Sequence, residues 1–180
     1  MKILRGDEKM IKLSLAEAVK LKSVLNKKIH EYEFEMDRVG FIEIEKGEKM
    51  PKQSRTLHDV ENELEEVRKD FRLLDKLMYK ANIENEIVFN GQAMPIVEAI
   101  ELATQLRAQA RKCKELGEAT KEEYPYSYTD NFTIVKMATF DPEVYRLKAI
   151  ELDRQANRLS NLINSKNYSI ELDFDSEKYF

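Results

Sequence analysis

Three tyrosines and a phenylalanine crowd into the nine residues YPYSYTDNF, Tyr124 to Phe132. Every nucleobase offers a π-face, so Tyr124, Tyr126 and Tyr128 could serve as a stacking platform. A tyrosine also buries its ring while its hydroxyl stays hydrated, so the same loop suits packing between subunits. A second insert, EKGEKMPKQSR, carries Lys46, Lys49, Lys52 and Arg55. It reads as a solvated charged loop, or as an anion site if Ser54 or Thr56 caps the helix that follows and turns its N-terminal dipole on the ligand. A tyrosine loop from one subunit meeting a basic loop from another would make a base-and-phosphate pocket for a nucleotide-like small molecule. Two asparagine pairs, Asn82/Asn85 and Asn164/Asn167, stand where helices should end. Helix termination is their ordinary role, and polar recognition of a ligand is the alternative. The candidate binding set is therefore Tyr124, Tyr126, Tyr128, Lys49, Lys52 and Arg55 with those four asparagines.

Other chemistry is weakly represented. His30 and His58 each sit one step off an apolar seam, and neither HExxH nor a ferritin-like Glu-x-x-His pair occurs. No metal site or cofactor is expected. Cys113 falls on an apolar helical stripe and reads as a small buried hydrophobe. There is no GxxxxGK[ST] and no GxGxxG, so the usual phosphate loops are missing. The runs ENELEEVRKD and KEEY carry i,i+4 partners and read as solvated helix faces. No catalytic residue stands out, and the expectation is a protein that is not an enzyme.

Composition narrows the class. Charged residues make up 36% of the 180, with glycine and proline scarce, a balance of long solvated helices rather than a β-sandwich. A net charge of -4 with acids and bases interspersed argues against general nucleic-acid binding, which needs a basic surplus. One cysteine excludes an internal disulfide and fits a reducing cytoplasm. The start lacks the apolar core of a secretory signal, and no run approaches the length needed to span a bilayer. Met10 is a second candidate start beside Met1.

The elements that would position these residues come in two copies. LAEAVKLKSVL (Leu15 to Leu25) matches IVEAIELATQL (Ile96 to Leu106), and LDKLMYKANIENEIVF (Leu74 to Phe89) matches LSNLINSKNYSIELDF (Leu159 to Phe174). Matches in the same order indicate a tandem duplication. The expected fold is mainly α with small β elements: two antiparallel helical hairpins, four long helices in all, with short strands at the helix ends. An extension covers 1–13, a single helical domain covers 14–174 as repeats 14–94 and 95–174, and a tail covers 175–180. Ser14 and Glu17 form a capping box. Leu57, Val60, Leu64, Val67, Phe71, Leu74 and Met78 make a heptad seam that requires a neighbouring helix. The third helix is expected from Pro95 with Gly117 as its C′ stop, and the fourth from Pro142 with Asp141 as cap. Strands are expected within 39–50, 131–140, NEIVFNGQ and SIELDF, and Asn90-Gly91 reads as a strand-to-helix bend more than a hairpin. Such short strands would pair between halves or between subunits.

The EAV and EAI helix starts, LMYKANIEN around Asn82 and Asn85, and LINSKNYSIEL around Asn164 and Asn167 resemble the septicolysin-like family of small bacterial and phage-borne proteins, over about residues 12 to 174. The resemblance implies a helical, oligomeric protein and supplies no catalytic residues. The family name implies a cytolysin, which the missing apolar segment does not favour. The expected function is a non-enzymatic homo-oligomeric binding protein, sponge-like for a nucleotide-like ligand held between subunits. The alternatives are an interaction module for a host protein and a membrane-active cytolysin.

Overall fold

The computed structural model describes residues 13–124 and 135–179. In chain order the elements are β1 (Leu13–Ser14), α1 (Leu15–Gly40), α2 (Leu57–Glu84), β2 (Glu86–Phe89), β3 (Gln92–Pro95), α3 (Ile96–Gly117), β4 (Glu122–Glu123), β5 (Lys136–Met137), α4 (Pro142–Asn167) and β6 (Glu171–Leu172). The fold is mainly α, with four discrete helices and three two-stranded antiparallel sheets at helix ends among the described residues. The chain divides into two units, Met1–Glu84 with Lys166–Phe180, and Asn85–Ser165.

The first unit is built on α1 and α2. Ser14 caps α1 as its sequence predicts: its Oγ accepts from the Glu17 N–H at 3.2 Å, and the Glu17 carboxylate accepts from the Ser14 N–H at 2.9 Å. That satisfies two donors which a helix start otherwise leaves bare. Thr56 does the same for α2, with Asp59 as its reciprocal partner. Leu15, Ala18, Leu21 and Leu25 of α1 are buried with Val60, Leu64, Val67, Leu74 and Ala81 of α2. Each buried leucine or valine contributes about 1.5–3 kcal/mol. The helices run antiparallel, since Lys22 pairs with Asp75 and Glu33 with Arg68. The unit is closed by the far end of the chain. β6 pairs with β1, the Leu15 N–H donates to the Ile170 carbonyl at 2.8 Å, and Ile170, Leu172, Phe174 and Ser176 are buried.

The second unit repeats this plan in another chain order. β2 and β3 pair antiparallel, with Ile87 opposite Met94 and Glu86 opposite Pro95. Asn90 and Gly91 join them at φ 51° and 80°, the two left-handed residues of a type I′ turn. The bend expected there from sequence is thus a true hairpin. Helix α3 begins at Ile96, one residue after the predicted start, because Pro95 is spent as the last residue of β3. The Ile96 N–H donates to the Asn85 carbonyl at 2.9 Å, the counterpart of Leu15 to Ile170. Under the sequence match, the β1–β6 register and the β2–β3 register coincide residue for residue.

In this unit α3 buries Ile96, Ala99, Ala103, Leu106, Ala110 and Cys113, and α4 buries Ala149, Leu152, Ala156, Leu159 and Ile163. Asp141 accepts from the Glu143 N–H at 3.0 Å and starts α4 as predicted. Gly117 ends α3, but without the positive φ of a C′ stop. Its role is close approach: a Cβ there would lie 2.8 Å from the Arg146 backbone N and Cα.

The two inserts differ. In the second, β4 and β5 pair with each other, and the Ala138 N–H adds a bond to the Lys121 carbonyl at 3.0 Å. No strand forms in 39–50, contrary to the sequence reading. Phe41 is extended (φ -130°, ψ 141°), a turn follows at Gly47 (φ 102°), and residues 41–45 have no strand partner among the described residues. Alternation alone does not make a strand; it needs a second backbone.

Candidate functional site

The basic insert leads back onto its own hairpin. Where the α1 seam turns from Leu25 to the half-buried Ile29 and Tyr32, polar pairing replaces aliphatic packing. Arg55 lies between two carboxylates. Its Nε and one terminal nitrogen donate to Glu35 at 2.8 and 3.1 Å, and its terminal nitrogens donate to Glu63 at 2.9 Å each. Such paired contacts are the strong form of guanidinium recognition. Glu63 and Glu35 raise the Arg55 pKa above its ordinary value. The Arg55 guanidinium, then the Tyr32 hydroxyl, hold Glu63 below the usual carboxylate range. Burial, then the Glu63 bond, raises Tyr32.

This changes the meaning of Arg55. One cation between two anions leaves the cluster net negative, and most of its donors are engaged. The helix N-terminus beside it is likewise occupied, because the Asp59 carboxylate already takes the Thr56 N–H and hydroxyl. An incoming anion would meet two glutamates and an aspartate. Lys49 and Lys52, by contrast, are exposed and make no ion pair among the described residues.

A second polar cluster fastens the chain's end to the hairpin. The Tyr179 hydroxyl donates to Asp70 at 2.5 Å, and Lys178 pairs with the same carboxylate. Lys28 stands 5.9 Å from the Tyr32 ring centroid and 5.5 Å from that of Tyr179, within cation–π range. Burial raises the Asp70 carboxyl, but Lys178 and Tyr179 together outweigh it and leave it below its ordinary value. Burial, then the Asp70 bond, drives the Tyr179 phenol far above its own. The tail predicted from sequence is thus a docked segment, held through Lys178 and Tyr179.

The remaining candidates are scattered. Tyr124 lies at the end of β4, 66% exposed, with its hydroxyl 3.4 Å from Glu122. Tyr126 and Tyr128 lie outside the described residues. Asn82 and Asn85 are half-buried near the end of α2, and Asn164 is exposed on α4. Asn167 is half-buried, and its Oδ1 is buried without a hydrogen-bond partner. Cys113 is buried, while His30 and His58 are exposed beside Glu33 and Glu61. Among the described residues no group of three His, Cys, Asp or Glu could hold a metal ion, and no helix is long and apolar enough to cross a membrane.

No protein-family model matches the chain, and no curated protein is significantly similar to it. A crystal structure of a functionally unknown conserved protein from Corynebacterium diphtheriae is similar in fold, with a TM-score of 0.63 at 20% identity. The similarity covers 89% of this chain and 99% of that one. At that identity it speaks for the fold alone.

Proposed function

We propose that the protein is a non-enzymatic, homo-oligomeric binding protein whose two inserts are its docking surfaces. The observation that carries the reading is where apolar side chains remain uncovered. Phe41 is 83% exposed and Met50 68% in the first insert, and Met137 is 60% exposed in the second. Isolated exposed apolar residues are ordinary, and others are exposed along the helices, Phe34 at 75% among them, but a group of them in an insert marks a surface meant to be covered. The single cysteine and the septicolysin-like resemblance are compatible with an oligomer in the cytoplasm. Sedimentation equilibrium over a concentration series tests this. The wild type should associate, and Phe41→Ser with Met50→Ser should shift it toward monomer; a wild type that stays monomeric throughout would discard the reading.

One observation favours a second reading, a nucleotide-like ligand. Lys49 and Lys52 are exposed and have no ion-pair partner among the described residues, and the Tyr124 ring is open to solvent. Calorimetry against a nucleotide panel tests it. Binding lost in Lys49→Ala with Lys52→Ala, and unchanged in Arg55→Lys, would support it; silence across the panel would end it.

A further inference from the structure

We infer that residues 41–45 of one copy add as a third strand to the open edge of β5 in a second copy. This rests on the homo-oligomeric reading and names the contact that would carry it. Residues 41–45 are extended at their start, exposed, and without a strand partner among the described residues. Among the described residues β5 is paired on one side only, to β4, in a sheet of two residue pairs. A sheet that small is marginal by itself, and an open edge is a template for another backbone. Addition of a strand to such an edge is a recurrent recognition mode.

The side chains choose the register. An antiparallel arrangement with Glu43 opposite Lys136 sets Ile42 opposite Met137 and Ile44 opposite Val135. Ile42 and Ile44 share one face of the added strand, as Val135 and Met137 share one face of β5, because side chains alternate. All four are exposed, at 38%, 43%, 37% and 60% in that order. On the other face Lys136 already pairs across the sheet with Glu123 at 2.8 Å. Glu43 on its other side completes a Glu–Lys–Glu row, and an ammonium has three donors for the two acceptors. Pairing of two 41–45 segments about Glu43 would instead oppose like charges, which is destabilising.

Two copies can exchange the contact reciprocally, forming it twice about a two-fold axis. The ladder is small, so the association belongs with weak, exchanging interfaces.

The test uses full-length chains carrying Cys113→Ala. Ile42→Cys chains mixed with Met137→Cys chains should form a cross-linked heterodimer with a short bis-maleimide, and a chain carrying both changes should link between copies. Glu43→Lys should weaken association about tenfold through the two lost pairs, while Glu48→Lys, the same charge change off the ladder, should not. Circular dichroism checks that each variant is folded. A wild type that does not associate would remove the homo-oligomeric reading itself. Association with no 42–137 cross-link, a cross-link within one chain, or equal effects of Glu43→Lys and Glu48→Lys would overturn the ladder and leave the reading standing.

Discussion

Arg55 shows how a residue's role depends on neighbours the sequence does not place. In the linear chain it belongs to a basic run; in the fold Glu35 and Glu63 enclose it from both helices of the hairpin. Those partners lie 20 and 8 residues away, and no spacing rule connects them. The pH dependence follows with a definite sign. Glu63 titrates below its ordinary value in the folded state, so its contribution is present above the usual carboxylate pKa and is lost as pH falls through the folded one. Arg55→Ala should lower the melting temperature at pH 7 and flatten the fall in stability between about pH 5 and 3. Urea titrations at several pH values measure both. Gly117 teaches a related lesson. The end of α3 was legible in the sequence, but the reason for glycine was not, because the Arg146 backbone it touches is distant in the chain. Gly117→Ala forces two helices apart and should cost about 1–3 kcal/mol, read from urea midpoints.

At the scale of the element, what the sequence made plain was what local chemistry decides. The Ser14 capping box is complete within four residues, and Ser14→Ala should cost about 1 kcal/mol in thermal or urea unfolding. The α2 seam was legible for the same reason, since its period is local. Its ends are looser, with Leu57 exposed and Met78 half-buried, and Phe71 within it is half-buried too. The strands were harder. Asn90-Gly91 was visible as a turn, yet nearby Pro95 pointed to a bend; the proline sits at the end of β3, where the ladder closes. FIEIE alternates like a strand but has no strand partner among the described residues. The docked C-terminal segment could not be read, because it rests on Asp70, 109 residues away from Tyr179. Tyr179→Phe should cost about 1 kcal/mol. The Asp70 carboxyl is depressed, so its share of the docking is lost as pH falls through the carboxylate range. The Tyr179 phenol is raised, so stability also falls above about pH 10, where the unfolded tyrosine ionises and the docked one does not. Exchange protection at the Tyr179 amide, which bonds to the Ser176 carbonyl, should fade at both extremes.

For the whole molecule, the duplication organises everything else. Each unit is an antiparallel helical hairpin with a strand pair at the start of its first helix, β1–β6 in one and β2–β3 in the other, and these two pairs share a register. In one unit a two-residue turn joins the strands; in the other they are the opposite ends of the chain. The first unit is therefore a circular permutation of the second. This placement leaves each insert at the far end of its own hairpin, with Phe41, Met50 and Met137 exposed there. The most direct measurement is a circular permutant: Phe180 joined to Leu13 by a flexible linker of about ten residues, spanning a short coil distance, with new termini between Asn90 and Gly91. The equivalence of the units predicts wild-type helical circular dichroism, a single cooperative melt and unchanged association. A permutant that loses the helical signal of either hairpin would contradict it.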